Sequence, residues 1–366
     1  MAILIRLFLL TIFCTGCYQG YTKTLKYPST QKNVDVTDIY FTTTVSDPYR
    51  WLEDDNSDET STWVHAQNKI TFGYLENISQ KNKIENRLTE IWDYEKVSAP
   101  FKRGGKYYYY KNEGLQNQYV LYSVEELGGV EKIILDPNTF SKDGTIALSG
   151  TYFNGAGDLL GYAKSEGGSD WKKFYIHNLK TGKDLEDNLE WIKFSGMSWA
   201  GAGFYYSRFP EPEDGGELDD ANENAAVYYH KLGTNQQEDR LIYSDPENPR
   251  ISNYISTTDD EKYLILYRTM GTSGTALYMT IVNDGKHKFH PVMDNYDYDH
   301  GIAGNIGSTF YLHTNYKAKN WRLVKFEYDN PNPENWIDVI PESEDPLNSV
   351  SIVNGKLLVK YSKDVS

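Results

Sequence analysis

The sequence contains very little cysteine. Only Cys14 and Cys17 occur in its 366 residues, and both lie near the N-terminus. The chain after Cys17 can therefore form no disulfide within itself and offers no thiol for catalysis or metal binding.

Basic residues are also scarce relative to acidic ones. The chain has 37 Lys and Arg against 52 Asp and Glu, and its net charge is −15. This balance argues against a nucleic-acid partner, because phosphate binding needs basic surface. The densest basic cluster, KRGGK at Lys102–Lys106, is short and is interpreted as a turn. No glycine-rich phosphate loop is present, and no cofactor is expected.

Long hydrophobic runs are missing from most of the chain. The exception is MAILIRLFLLTIF at the N-terminus, whose apolar stretch of about ten residues is too short to span a membrane. It fits the core of a secretory signal, so residues 1–17 are expected to be a leader. The protein is therefore expected to be exported to the periplasm or cell envelope. The alternative is a buried N-terminal strand.

The leader ends in CTGC, which resembles a bacterial lipoprotein cleavage site. In that pattern Cys17 becomes the lipidated first residue of the mature chain and anchors it to the membrane. The sequence departs from the pattern at Cys14, where leucine is usual. Ordinary cleavage near this point remains the alternative to lipidation.

Residues 18–94 combine an arm with two helices. The arm is Thr-rich, is interrupted by Pro28, and is expected to be extended up to Val45. Ser57 or Asp58 can cap a first helix over residues 58–78, and apolar residues at helical spacing predict a second over residues 80–94.

Residues 95–366 repeat one pattern, an aromatic strand, a polar turn and a second strand. The repeats are anchored at six positions with spacings of 53, 44, 59, 47 and 47 residues: Tyr107, Leu160, Phe204, Tyr263, Phe310 and Leu357. Repeats of this size, built from short strands, predict the blades of a β-propeller. Alternating aromatic residues exclude helical repeats, and a plain β-sandwich has no reason to repeat every ~50 residues. About five blades are expected, with KLLVKY beginning a sixth.

Several motifs resemble the N-terminal part of the prolyl oligopeptidase family of serine peptidases. They are DPYRWLED at residues 47–54, AQNKIT at 66–71, GLQNQYVLY at 114–122, LDPNTFSKDGTIAL at 135–148, GSDW at 168–171 and YYHKLGTNQQEDRLIY at 228–243. DPYRWLED alone also fits the related oligopeptidase that cuts after basic residues. The GLQNQ and GSDW segments favour the prolyl branch.

This resemblance implies a fold and an activity. Members cut short peptides after proline, and a seven-bladed propeller filters access to an α/β-hydrolase domain that follows it. The chain is then an incomplete propeller preceded by helices that pack on the peptidase domain, and that C-terminal domain is missing. By resemblance, Ile176 and Tyr243 are expected to face the substrate. The alternative function is a non-catalytic envelope propeller used for binding.

Catalytic and metal-binding patterns are absent or weak. Ser198 in GMSWAG and Ser273 in GTSGT approach G-x-S-x-G, but both lie among strands, whereas this motif requires a strand–helix turn. His287 and His290 would face opposite sides of a strand. Asp294, Asp297 and Asp299 lack the closing glutamate of a calcium loop. The acidic insertion EPEDGGELDDANEN, at residues 211–224, is interpreted as a solvated loop rather than a cation site.

Overall fold

The computed structural model describes residues 25–213, 221–282 and 287–364. The chain divides into two compact units, one ending at Asp93 and the other beginning at Tyr94. The expected leader and Cys17 lie outside the described residues. Within the described ranges, no helix is both long enough and apolar enough to cross a membrane.

The segment DPYRWLED forms the corner between a β-hairpin and a helix. The first unit begins with two strands and a 3-10 turn: β1 (Thr37–Tyr40), β2 (Thr43–Ser46) and Arg50–Glu53. Arg50 forms ion pairs with Asp38 of β1 and with Asp47, so one guanidinium holds the corner against the hairpin. The sequence predicts an extended arm up to Val45. The structure has a hairpin there instead. The sequence does not predict it, because the pair between Asp38 and Arg50 joins residues that are 12 positions apart.

Two helices follow this corner, as the apolar spacing predicts: α1 (Asp58–Glu76) and α2 (Lys81–Trp92). The Ser57 hydroxyl accepts the Thr60 N–H at 3.1 Å and caps α1. The Thr60 hydroxyl donates to the Trp51 carbonyl at 3.0 Å, and the Trp51 and Trp63 rings meet edge to face at 6.5 Å. The geometry of the corner and of the start of α1 is therefore set by one small cluster of contacts.

The first unit has almost no core of its own. Among residues 25–93, Thr60 is the only buried residue. On one face of α2, Ile84, Leu88 and Ile91 are 54%, 48% and 45% exposed. A unit of this size without buried apolar side chains has little hydrophobic stabilisation.

The second unit contains five successive antiparallel sheets, which are the blades that the repeat predicts. In the first blade, β3 and β4 both pair with β5. Its strands are β3 (Lys96–Val97), β4 (Phe101–Arg103), β5 (Lys106–Asn112), β6 (Val120–Val124) and β7 (Lys132–Leu135). The second blade has β8 (Ile146–Phe153), β9 (Leu159–Glu166), β10 (Lys172–Asn178) and β11 (Lys183–Ile192).

The other three blades are also four-stranded meanders. The third has β12 (Ser198–Ala200), β13 (Gly203–Arg208), β14 (Ala226–Lys231) and β15 (Arg240–Tyr243). The fourth has β16 (Ser252–Thr257), β17 (Tyr263–Thr269), β18 (Thr275–Ile281) and β19 (His290–Met293). The fifth has β20 (His300–Ile306), β21 (Thr309–Thr314), β22 (Arg322–Glu327) and β23 (Ile337–Ile340). The aromatic strand pairs seen in the sequence are β5 and β6 of the first blade and the second and third strands of the other four blades.

The core lies between consecutive blades. Leu121 and Leu160 belong to one hydrophobic cluster that joins the first blade to the second, and further clusters join each later pair in the same way. The cluster between the second and third blades includes Phe174, Leu189 and Phe204, all fully buried. Alternating strand residues therefore supply apolar groups to both faces of each blade.

In two blades, a serine hydroxyl just before a first-strand segment accepts a backbone hydrogen bond from the neighbouring strand. In the first blade, Pro100 lies between β3 and β4 and has no N–H to donate to a sheet. The Ser98 hydroxyl accepts the Tyr110 N–H at 2.9 Å nearby. In the third blade, the Ser195 hydroxyl accepts the Ser207 N–H at the same distance. A side-chain acceptor thus replaces a missing ladder bond at matching positions of the two repeats.

A hairpin follows the fifth blade, formed by β24 (Leu347–Val353) and β25 (Lys356–Tyr361). The KLLVKY segment is its second strand. Leu347 is buried, and its carbonyl lies 2.8 Å from Nε2 of His313 on β21. The hairpin is therefore attached to the fifth blade. Within the described chain, β25 pairs with β24 only.

Candidate functional site

The two residues expected to face a substrate lie in different blades. Ile176 lies in the middle of β10, is 0% exposed, and belongs to the cluster between the second and third blades. Tyr243 ends β15 and is half-buried. Peptide contact by either residue stays a prediction, and burial makes Ile176 the weaker candidate.

Tyr243 packs beside a buried arginine. The Arg268 guanidinium carbon lies 5.5 Å from the centre of the Tyr243 ring and 5.9 Å from that of Tyr278. Arg268 Nε donates to Asn253 Oδ1 at 3.2 Å, and its Nη2 pairs with Asp245. Burial raises the pKa of the Tyr243 hydroxyl, and the nearby Arg268 charge opposes that rise. This cluster fixes a cation and two phenol rings near the end of β17.

Sequence reasoning missed Arg268. The signal was an arginine inside the apolar run YLILYRT, where an unpaired charge is costly to bury. The repeat pattern predicts only a strand at this position, and the pairing acid, Asp245, is 23 residues away.

A cavity of about 350 Å³ lies beside the acidic insertion. It is lined by Trp171, Phe209 and Pro210, together with Asn222 and other residues of the insertion itself. The Lys193 ammonium lies 3.8 Å from the Trp171 ring centre and donates to Asn222 Oδ1 at 2.7 Å. Burial lowers the pKa of Lys193. Aromatic rings, prolines and side-chain amides are groups that can contact an extended peptide.

A second cavity, of about 390 Å³, lies where first strands of the blades end. The first four blades all contribute to its wall, through residues such as Arg103, Asn154, Ser198 and Thr257. Glu261 closes one side, and its Oε2 accepts the Gly201 N–H from the third blade at 2.9 Å. The cavity is polar, and four blades converge on it.

Neither candidate serine sits in a nucleophile elbow. Ser198 begins β12, and its hydroxyl donates to the Ile255 carbonyl of the fourth blade at 3.1 Å. Ser273 lies in the connection between β17 and β18. Both positions agree with the strand and turn interpretations made from the sequence.

Two histidines each form a close pair with an aspartate. His177 Nδ1 lies 2.7 Å from Asp184 Oδ1, and His230 Nδ1 lies 2.7 Å from Asp239 Oδ1. The other ring nitrogen of His230 faces a carboxylate oxygen of Asp187 at 3.0 Å. His230 is buried and both of its nitrogens are occupied, so it cannot act as a general base on a substrate.

The metal candidates from the sequence are dispersed. Asp299 Oδ1 accepts the Gly274 N–H at 2.7 Å and its Oδ2 accepts from Asn315, so it fixes a loop. Asp294 accepts from the Tyr278 hydroxyl. Residues 214–220 of the acidic insertion lie outside the described residues. In the described part of the chain, no group of three or more His, Cys, Asp or Glu could hold a metal ion.

Comparison with known proteins decides the family. A model of the prolyl oligopeptidase N-terminal β-propeller domain matches residues 28–366. The chain belongs to the prolyl oligopeptidase family. It is 43% identical over 348 residues to the prolyl endopeptidase of Elizabethkingia miricola, which covers 94% of this chain and 48% of that protein. For the prolyl endopeptidase of Elizabethkingia meningoseptica the identity is 44%, over 93% of this chain and 48% of the relative.

Solved structures of the family share the fold. Prolyl oligopeptidase B from Galerina marginata, bound to a 35mer hydrolysis and macrocyclization substrate, superposes with a TM-score of 0.80 at 30% identity. That match covers 93% of this chain and 51% of the Galerina chain. This chain therefore spans about half the length of the relatives it matches.

Proposed function

We propose that this chain is the propeller part of a serine prolyl oligopeptidase whose full-length form hydrolyses short peptides after proline. The observation that carries the proposal is the match of residues 28–366 to the family's N-terminal propeller domain. Relatives at 43% and 44% identity are named prolyl endopeptidases, and about half of their length is unmatched. The catalytic serine, aspartate and histidine would lie in that other half.

The reaction would be acyl transfer from the peptide to serine, followed by attack of water. In this proposal the propeller contributes no catalytic group and limits substrates by size. The convergence of four blades on one polar cavity supports such a filter. Tyr243, beside Arg268, is retained as a candidate contact for the peptide.

The exposed apolar surface of the first unit supports the proposal that a further domain covers it. Its α2 face carries exposed Ile84, Leu88 and Ile91, and the unit has almost no core. A stand-alone binding propeller would have no reason to keep an uncovered apolar face. We therefore propose that residues 18–94 pack on the peptidase domain, and we favour this function over a non-catalytic envelope propeller.

The hairpin after the fifth blade is proposed as the start of a sixth blade in a ring of seven. Leu357 in β25 follows Phe310 in β21 by the 47-residue spacing of the repeat, and both lie on the second strand of a hairpin. In this proposal β24 and β25 are the first and second strands of the blade.

Export is proposed from the leader sequence, with Cys17 as a lipid anchor. Mass spectrometry of the mature N-terminus in cell-derived protein tests both parts. An intact Met1 would exclude export. An unmodified N-terminus beyond Cys17 would exclude the lipid and leave export intact.

The functional proposal is tested with a chromogenic peptide cleaved after proline. We expect no turnover by this chain alone, and turnover when it is combined with the unmatched C-terminal half of the Elizabethkingia miricola enzyme. Ser198→Ala and Ser273→Ala should leave the reconstituted rate unchanged. Turnover by the chain alone would contradict the proposal. If Ser198→Ala or Ser273→Ala abolished that turnover, the substituted serine would be identified as the nucleophile.

A further inference from the structure

His230 lies at the contact between the second and third blades, between two carboxylates. Its Nδ1 lies 2.7 Å from Asp239 Oδ1, and its Nε2 lies 3.0 Å from Asp187 Oδ1. Asp187 belongs to β11 of the second blade, whereas His230 lies on β14 and Asp239 precedes β15 in the third. The three side chains are at most 2% exposed. We call these three residues the His230 joint.

With both carboxylates ionised, the hydrogen bonds of the joint require a proton on both ring nitrogens. Ionised carboxylates only accept hydrogen bonds, so each nitrogen that faces one must donate. Asp239 Oδ2 also accepts the Tyr206 hydroxyl at 2.6 Å, and Asp187 Oδ1 accepts the Gly233 N–H at 2.7 Å. Neither carboxylate can turn away from the ring without losing another donor.

The other groups around the joint do not supply a competing charge to the ring. From β13, the Phe204 ring lies 5.3 Å from the His230 ring, and Tyr206 reaches the joint only through Asp239. Gln236 donates to the Tyr206 hydroxyl at 3.2 Å. Burial raises the pKa of this hydroxyl, and the positive charge of Arg208 opposes that rise. Burial by itself lowers the pKa of His230. The hydrogen bonds to Asp239 and Asp187, together with the negative charges of these two residues, outweigh burial and raise it above its ordinary value.

We propose that the His230 joint is a proton-dependent lock between the second and third blades that opens as the solution becomes alkaline. With the proton in place, one cation holds together two carboxylates from different blades. Without it, one ring nitrogen presents a lone pair to a buried carboxylate, and two negative charges remain without a balancing cation.

The direction of the pH dependence follows from the raised pKa in the folded state. Below the ordinary value of 6.5, the folded and unfolded chains both carry the proton and the joint contributes fully. Above 6.5, unfolding releases the proton. The unfolding equilibrium constant then rises with pH, by at most about tenfold per pH unit, and the contribution is lost as pH passes through the folded-state pKa.

Asp239→Asn should satisfy the joint without the extra proton. The new amide can donate to Nδ1 of a neutral ring while its oxygen still accepts the Tyr206 hydroxyl. The ring's Nε2–H can then donate to Asp187. The matched control is Asp184→Asn, since Asp184 also accepts from a histidine and a tyrosine, His177 and Tyr162, at 2.7 Å each. Among the described contacts, His177 has only one carboxylate partner, whereas His230 has two.

The test is denaturant unfolding of the full chain at pH 6, 7.5 and 9, with hydrogen–deuterium exchange of β11 and β14 corrected for intrinsic rates. From pH 6 to 9 we expect the unfolding constant to rise by a larger factor in the wild type and in Asp184→Asn than in Asp239→Asn. Hydrogen exchange in β11 and β14 should accelerate with rising pH in the same two proteins. The proposal would be overturned by equal pH dependence of unfolding in the wild type and Asp239→Asn, or by a reduced pH dependence in Asp184→Asn as well.

A second measurement covers the case in which Asp239→Asn does not fold. Nitrogen NMR of the ¹⁵N-histidine-labelled wild type should show that the His230 ring keeps both of its protons to a higher pH in the folded chain than in the chain unfolded in denaturant. Loss of the second proton at the same or a lower pH in the folded chain would also overturn the proposal.

Discussion

At the scale of single residues, a close backbone contact between the first two blades depends on two glycines. Gly104 and Gly157 both have positive φ angles, +52° and +68°. A Cβ placed on Gly157 would lie 2.3 Å from the Gly104 nitrogen, which is backbone and cannot rotate away. These turns can therefore meet only without side chains.

Gly157→Ala is expected to destabilise the chain by roughly 3 kcal/mol, which combines left-handed backbone strain with overpacking. Gly182→Ala is the matched control, because Gly182 has the same φ of +68° and a Cβ there would have no atom within 4 Å. The control should cost roughly 1 kcal/mol, from strain alone. Denaturant unfolding measures both. Equal losses would show that the blade contact has little energetic importance.

His300 makes the fifth blade sensitive to acid. Burial lowers the pKa of its ring to about 4 despite the nearby Asp299, and its Nδ1 lies 2.7 Å from the Thr314 hydroxyl. Because the unfolded ring binds a proton near 6.5, the unfolded state takes up the proton first as pH falls. We expect the free energy of unfolding to drop by roughly 3 kcal/mol between pH 6.5 and 4 from this residue.

His300→Phe should remove that acid-dependent part, while His290→Phe, at an exposed position, should retain it. The comparison is made from unfolding curves at pH 4, 5 and 6.5. An unchanged acid slope in His300→Phe would show that the loss arises from other groups.

At the scale of elements, β25 is an open edge. It pairs only with β24 among the described strands, and Leu358 on it is 67% exposed. Unpaired apolar strands associate with strands of other molecules. Leu358→Lys should therefore reduce self-association in sedimentation velocity, whereas Val130→Lys, equally a change from apolar to charged, should not. Val130 is exposed in the connection between β6 and β7. Similar effects of both changes would indicate a general effect of charge.

At the scale of the whole molecule, the two units differ in how much core they have. The blades bury apolar side chains at every contact between neighbours, whereas residues 25–93 bury only Thr60. On the order of 400 Å² of apolar surface left in water corresponds to about 10 kcal/mol at roughly 25 cal/mol per Å². That is comparable with the stability of a whole domain.

We therefore expect the 366-residue chain by itself to fold only partially, with folded blades and fast hydrogen exchange in α1 and α2, and to aggregate at high concentration. Adding the unmatched half of the Elizabethkingia miricola enzyme should slow that exchange and give a monodisperse complex. Ultracentrifugation and thermal melting check this. A monodisperse monomer with a sharp transition above ~60 °C would contradict it and favour the stand-alone binding propeller.

The sequence by itself determined the features that depend on neighbouring residues. Apolar spacing and the Ser57 cap identified α1 and α2, and alternating aromatics at a regular period identified the blades. Long motifs in the right order identified the family. These signals are local, so they can be read without knowing which distant segments meet.

Only the tertiary structure decided which distant groups meet. Asp38 and Arg50 hold the corner against the hairpin, Ile176 is buried between blades, and Arg268 pairs with Asp245 beside Tyr243. His230 reaches Asp187 across 43 residues and a blade boundary. No local pattern encodes such contacts, because they depend on how blades stack, and burial then fixes which charged groups must be paired.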